Sequence, residues 1–437
     1  MTNSPLVFAA TCDLAGQVRG KAFPLSEHTK RMKNGIGWVP TNSLITCFDT
    51  IAPSPFGSLG DLVIIPDANT EINVQLDQDS PSERLVLGDI CELDGSQWAL
   101  CPRTILRNAL KRLKRLSGLK LNAAFEHEFQ LTNLEVQPGE AFGYGAFAQH
   151  RAFGESLVSA LEQAGITPDT FLKEYGARQF EITNGPALNL QSADWAVLLR
   201  ELTKRSALAH GNHASFAPIA DPEGVGNGVH VHMSFLDEND RPATFDPAHE
   251  LGMSDVAGAF ISGILKYLDG ILAITAPSDI SYLRLTPHRW SAAYNNLGYH
   301  DREAAVRICP VTASDNEKRA KQYNFEFRAT DAAASPYLVL AALVHAGAQG
   351  IEDALPMPAA TQEDLSLLSE SALHEKGIVR LPQSLNEAIK RFEQNETIQS
   401  WFGQQFCDVY VAHKRAEIEH LCELTDLEKC KQYSKVY

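Results

Sequence analysis

AAFEHEFQL (residues 123–131) places Glu126 and Glu128 two positions apart in a run of Ala, Phe and Leu, with His127 between them. Basic residues precede the run and TNLEVQPG follows it, so it reads as a short buried strand. Side chains alternate faces along a strand, which projects both carboxylates from one face and His127 from the other. Two like charges side by side in a core require a counter-charge from elsewhere in the chain or from a ligand.

Upstream, LVFAATCDLAGQVRGKAFP, SLITCFDTIA and GDLVIIPD are short apolar runs punctuated by Gly, Pro and Asp, which predicts a small β-rich domain over residues 1–100. At CPRTILRNALKRLKRL (101–116) the period changes. Pro102 suits a first helical turn, and Ile105, Leu106, Leu110, Leu113 and Leu116 form one stripe, so a second domain runs over 101–437. In it, FGESLVSALEQAG reads as a helix, and EYGARQFEI and GVHVHMSFL as strands. SPYLVLAALVHAGAQGI reads as a helix capped by Ser335 with Pro336 beside it. The tail from 384 opens with Ser384 and Glu387 at capping-box spacing and continues amphipathic through Phe392, Ile398, Trp401 and Phe406. The fold class is α+β.

The two-apart pattern returns where His230 and His232 share a strand face and where Glu326 and Arg328 point the same way in NFEFRATD; Glu174 and Glu181 flank a Gly-containing turn. Each has an ordinary reading by itself: an edge strand facing water, satisfied histidines, turn caps, and, for Arg302 and Arg307 in DREAAVRI, a solvated charged face. Together they point to hard divalent cations held by carboxylate oxygens and an imidazole, because isolated buried carboxylates cost several kcal/mol each, on the order of the Born penalty left after relaxation. Metals combined with arginines imply phosphoryl groups.

The totals narrow the partners. With 54 acidic and 38 basic residues, a net charge of −16 disfavours a nucleic-acid or anionic-membrane surface as the main partner. The 44% hydrophobic content supplies a large core. Eight cysteines lie scattered without a CxxC pair, which suits reduced thiols in the cytoplasm. No basic leader with a long apolar region opens the chain, and the apolar stretch 336–351 is too short to span a bilayer. A soluble protein is expected.

The succession FEHEF, EYGARQFEI, GNGVHVHMSF, SYLRLTP, DREAAVRICP and FEFRATDAAASPYLVLAAL resembles the glutamine synthetase superfamily, in its order and over essentially the whole chain. DLAGQVRGKAFP and GDLVIIPD resemble its N-terminal β-grasp domain, and LPQSLNEAIKRFEQ through AHKRAEIEHL its C-terminal helices. The resemblance implies a catalytic domain built on a curved antiparallel sheet with flanking helices. It implies two or more Mg²⁺ or Mn²⁺ ions: one held by Glu128, Glu174 and Glu181, another by Glu126, His230 and Glu326. ATP, the co-substrate, would meet His232, Ser234, Arg307 and Lys321. Arg302 and Arg328 would grip phosphate and the substrate carboxylate, and Gly226 and Arg284 would bind glutamate. Asp49 of a neighbouring subunit would accept the amine's proton, within a ring-shaped homo-oligomer, usually a dodecamer of two stacked hexamers.

Three positions depart from the family pattern. Trp290 stands where glutamine synthetases carry a flap glutamate that helps create the ammonium site; an indole there removes an anion and supplies an apolar, cation-π-capable wall. That implies an organic amine, as in relatives that make γ-glutamylpolyamines or γ-glutamylmethylamide, unless Trp290 merely packs. Val225 replaces a usual asparagine beside the glutamate site, and Asn324 an arginine before the late-strand glutamate. Two other readings remain: a glutamine synthetase using ammonia, and a catalytically silent scaffold on the same fold.

Overall fold

A computed structural model describes residues 4–77 and 80–437. The first sheet contains β1 (Leu6–Cys12), β2 (Val18–Pro24), β3 (Ile36–Trp38), β4 (Leu62–Pro66), β5 (Ile72–Val74) and β6 (Glu83–Glu92), with α1 (His28–Asn34) inserted after β2. Its order is β2-β1-β6-β4-β3, with β5 also on β6. β1 and β2 form an antiparallel hairpin, while β1 runs parallel to β6, so two sequence-distant strands meet at the centre.

α2 (Pro102–Ser117) begins with Pro102 at its first turn and ends at Gly118, whose φ of 72° suits a residue without a Cβ. It buries Ile105, Leu106, Ala109 and Leu113 and packs on the helix Pro336–Glu352. The elements that follow are β7 (Lys120–Leu131), α3 (Tyr144–Gln163), β8 (Pro168–Lys173), β9 (Gln179–Asn184), β10 (Ala187–Leu188), α4 (Leu190–Ala209), β11 (Ala214–Ser215), β12 (Val229–Leu236), α5 (Asp255–Thr275), α6 (Ser281–Arg284), β13 (Leu297–Tyr299), β14 (Val306–Ile308), α7 (Asn316–Gln322), β15 (Phe325–Phe327), α8 (Pro336–Glu352) and β16 (Ala360–Thr361). The chain closes with α9 (Glu370–Glu375), α10 (Leu385–Gln394), α11 (Glu396–Phe402), α12 (Gln404–His420) and α13 (Asp426–Tyr433).

The second sheet has the order β16-β13-β14-β15-β12-β7-β9-β8, with β10 and β11 also on β7. The expected antiparallel pairing holds from β14 through β8, whereas β13 pairs parallel with both β14 and β16. Alternation in β7 follows the sequence reading. Phe125, His127 and Phe129 are buried in the core, and Glu126 and Glu128 are half-buried on the other face. His127 lies among Phe125 and Phe216, and burial depresses its pKa to about 3, so it is a neutral core side chain.

Two segments differ from their sequence readings. EYGARQFEI is a strand only from Gln179; residues 174–178 form the turn joining β8 to β9. The stretch from Ser384 through Phe406 is spread over three helices rather than one amphipathic run, broken at Asn395, whose side chain caps α11, and at Gly403, whose φ of 82° ends it. Ser384 accepts the Glu387 N–H as a cap should, while the Glu387 carboxylate accepts the N–H of Gln383 instead of Ser384.

One continuous buried cluster runs from Ala10 and Trp38 of the first sheet through α2, β7 and α8 to Tyr437. A buried ion network reinforces that continuity. Arg103 reaches Asp67 at 3.0 Å and Asp89 and Asp194 at 2.9 Å each, and the Tyr337 hydroxyl donates to Asp194 at 2.5 Å. α5 is long and apolar enough to cross a membrane, but 83% of its apolar window is buried inside the protein.

Candidate functional site

Strand register assembles the floor of the site. On β7, Glu126 lies opposite His230 of β12 and Glu128 opposite Glu181 of β9; His232 of β12 lies opposite Glu326 of β15, which in turn faces Arg307 of β14. Five strands thus deliver seven ionisable side chains to one face. Directly opposed like charges such as Glu128 and Glu181 destabilise a sheet, so this register is not explained by strand pairing alone.

A cavity of about 670 Å³ opens over this floor. It is lined by Glu126, Glu128, Glu174, Glu181, Gly226, His230, His232, Arg284, Trp290, Arg302, Arg307, Glu326 and Arg328, all expected site positions, together with Val225, Tyr175, Phe142 and Cys309. A second cavity of about 300 Å³ shares Glu126 and His232 with it and adds Ser234, Lys321 and Asn324. Three of the residues expected at ATP, His232, Ser234 and Lys321, therefore border one space; Arg307 lines the first cavity. Asp49 lines neither. It is exposed at a φ of 57° and accepts a hydrogen bond from Arg19 at 3.2 Å.

The charges on the floor divide into a paired half and an unpaired half. Glu126 meets His230 Nδ1 at 3.0 Å through one oxygen and His232 Nε2 at 3.0 Å through the other. Glu326 meets His232 Nε2 at 3.1 Å, Arg307 at 2.9 Å and Arg328 at 2.7 Å. Burial alone would raise both carboxyls; hydrogen bonds from the imidazoles, and Arg328 beside Glu326, outweigh it and hold both well below the usual range. Burial would likewise depress His232. Contact with Cys309 (3.5 Å) and the two carboxylates instead raises it well above an ordinary histidine, and Asn324 Oδ1 lies 2.9 Å from its Nδ1.

Glu181 and Glu174 have no imidazole or guanidinium partner: Glu174 accepts the Tyr175 N–H at 2.9 Å, and Glu181 the Thr183 hydroxyl at 3.5 Å. Burial, with Glu126, Glu128 and Glu174 nearby, pushes Glu181 up to about 9, and burial and Glu128 also raise Glu174. Glu128 is held in place by the Gly228 N–H at 2.6 Å. Protonation of Glu181 relieves repulsion among four acids, and a dication would provide the same relief, which fits this donor set. Ligand atoms of Glu126, Glu181 and His230 lie within 4.8 Å of one another, as do those of His232, Cys309 and Glu326. Glu181 thus sits with Glu126 and His230, and the His232 ring bridges Glu126 to Glu326.

Cationic groups line the same cavity. Arg284, at the end of α6, is fully buried, donates to Ser291 Oγ at 2.9 Å and to the Thr330 carbonyl at 2.6 Å, and has its pKa lowered by burial. A Cβ at Gly226 would come within 2.4 Å of the Arg284 side chain, so only glycine leaves that arginine its place. Arg284, Arg307 and Arg328 each keep an Nε without a protein partner. Buried donors of this kind are suited to anionic oxygens.

The sequence reading missed Tyr175, Gln179, Glu303 and Cys309. Gln179 fastens the floor, donating to the Gly226 carbonyl at 2.8 Å and to Asn227 at 3.0 Å. Glu303 fastens the rim, accepting N–H bonds from His288 and Trp290 at 3.0 Å each. The signals were their positions, next to Glu174, Arg302 and Arg307 and within the QFEI strand.

Comparison with known proteins agrees with this architecture. The family description "Glutamine synthetase, catalytic domain" matches residues 99–433, and "Glutamine synthetase N-terminal domain" matches residues 2–98. The γ-glutamylpolyamine synthetase GlnA3 of Streptomyces coelicolor is 31% identical over 94% of this chain and 89% of its own length. A type-1 glutamine synthetase of Dictyostelium discoideum is 30% identical over 97% and 88%. A crystal structure described as a novel glutamine synthase homolog superposes with a TM-score of 0.92 at 39% identity, covering 100% of this chain and 99% of that one. The chain belongs to the glutamine synthetase family, whose members are ATP-dependent ligases that form carbon–nitrogen bonds using divalent metals.

Proposed function

We propose that this ligase joins L-glutamate to an organic primary amine, giving a γ-glutamylamide through γ-glutamyl phosphate. The observation that carries the reading is Trp290, an uncharged indole at the mouth of the cavity, where the family's ammonia users place a glutamate. In this reading Glu128, Glu174 and Glu181 hold one Mg²⁺ or Mn²⁺ ion, and Glu126, His230 and Glu326 the other. When bound, the ions supply positive charge that screens the phosphates.

The chain's own groups account for the remaining steps. Gly226 and Arg284 seat glutamate; His232, Ser234, Lys321 and Arg307 seat ATP. The γ-carboxylate oxygen attacks the γ-phosphorus and ADP departs, while Arg302 and Arg328 spread the charge of the transferring group. The amine nitrogen then attacks the acyl carbon, phosphate leaves, and Asp49 of a neighbouring copy takes the proton. Asp49 lies on the surface and borders neither cavity of its own chain, which supports a site completed between subunits of a ring. Unpaired cysteines, seven of them buried, support a reducing cytoplasmic setting.

The near-equal identity to a type-1 glutamine synthetase favours a second reading, in which ammonia is the acceptor. Phosphate release with glutamate, Mg²⁺–ATP and a panel of ammonium, methylamine, longer alkylamines, diamines and aromatic amines decides between them. An organic amine is expected to give the highest kcat/KM; ammonium giving the best turnover overturns the proposal.

A further inference from the structure

Above the charged floor, the cavity mouth is aromatic. Tyr175, on the β8–β9 turn, and Trp290, on the loop after α6, bring their ring centroids to 6.0 Å with planes at 37°, and Phe142 and Leu172 line the same space. Tyr175 is 62% exposed and Trp290 59%, although each packs against the other. Two large rings from segments more than 100 positions apart thus present free faces at the entrance of an otherwise polar site.

The Trp290 ring is held there by its backbone. His288 and Trp290 have φ of 62° and 51°, a left-handed conformation unfavourable for bulky residues. The Glu303 carboxylate accepts both of their N–H groups, and the Trp290 carbonyl accepts from Arg328 at 3.1 Å. The loop is therefore fixed from two sides, by a carboxylate outside the cavity and an arginine within it.

We propose that Tyr175 and Trp290 form a shelf for the tail of the acceptor amine, and that this tail is flat and uncharged, as in an arylalkylamine. The proposal rests on the organic-amine reading above and specifies its substrate class. Flat groups stack on such faces, each aromatic pair contributing roughly two- to tenfold in affinity. A second ammonium on the tail finds poor company: Arg289 and Arg302 also line the cavity, and the carboxylates lining it, Glu126, Glu128, Glu174, Glu181 and Glu326, are those assigned to the ions in the reading above. Glu303 is engaged by two backbone donors. Glu303 is a positioning residue in this arrangement, acting through Trp290.

The test is steady-state phosphate release by the full-length protein with glutamate, Mg²⁺–ATP and phenethylamine, butylamine, 1,4-diaminobutane, methylamine or ammonium. Phenethylamine is expected to exceed methylamine and 1,4-diaminobutane by roughly tenfold in kcat/KM, mostly through KM. Tyr175→Ala should collapse the phenethylamine-to-methylamine ratio about tenfold and Tyr175→Phe should preserve it; Glu303→Ala should lower the same ratio and Glu303→Gln restore part of it. A higher kcat/KM for 1,4-diaminobutane, or a ratio unmoved by Tyr175→Ala, overturns the uncharged shelf while leaving the organic-amine reading standing. Ammonium as the best acceptor, with every organic amine poor, overturns the reading beneath it as well.

Discussion

Acidic side chains gather around Arg103 and on the floor formed by β7, β9, β12 and β15, and the chain treats the two groups differently. Around Arg103, three aspartates converge on one guanidinium, and Tyr337 adds a hydroxyl. Burial would depress the arginine, but Asp194, Tyr337 and Asp89 hold it firmly charged. That network is closed: each acid meets a cation, and it ties the first sheet to α2, α4 and α8. On the floor, the histidines and arginines satisfy Glu126 and Glu326, while Glu181 and Glu174 are left facing other carboxylates. A group of acids that is matched throughout by cations is structural, and a group that leaves some acids facing other acids marks a place for something the chain does not contain.

The contrast can be broken most severely at the closed network. Arg103→Met should leave Asp194 and Asp67 without a cation, Asp89 keeping Arg107 at 2.8 Å, and lower stability by about 3–5 kcal/mol, seen as a large fall in the thermal midpoint. Activity per folded molecule should persist. At the open floor the effects should reverse: Glu126→Gln keeps the volume and the fold but should reduce phosphate release by roughly a thousandfold. Unchanged turnover at saturating Mg²⁺ counts against its role. At the rim, Trp290→Glu should raise the ratio of ammonium to methylamine turnover about tenfold, and an unaltered profile would reduce Trp290 to packing.

The smallest effect is the sharpest. Glu181 has its pKa raised from 4.5 to about 9, so the metal-free fold binds its proton more tightly than the unfolded chain does. Its stabilising contribution is present in full below pH 4.5 and is lost as pH rises towards 9. In EDTA, Glu181→Gln should therefore gain about 1 kcal/mol over the wild type between pH 7 and 9, read as a higher thermal midpoint. A variant less stable than the wild type across that range would mean that Glu181 is an ordinary satisfied acid.

Much of this was legible beforehand because it depends on local periodicity. The alternation of AAFEHEFQL set His127 against the core and the two glutamates on the other face, and Pro102 and Pro336 marked true helix starts. What escaped depends on pairing between distant segments. The parallel meeting of β1 with β6, and of β13 with β14 and β16, leaves no short-range trace. Cys309 comes to His232 only because β14, β15 and β12 lie side by side, and Tyr175 meets Trp290 across two loops. The tail misled by its hydrophobic spacing, which continues across Asn395 and Gly403 although the backbone does not.

The central claim is that the acids of the floor are arranged for divalent cations. Titrating Mg²⁺ into the nucleotide-free protein at pH 7.5, by calorimetry in two buffers of different ionisation enthalpy, measures it directly. Saturable binding is expected with release of about one proton, the one held on Glu181, so that the apparent heat differs between buffers. Absence of binding, or heats independent of the buffer, would contradict the account.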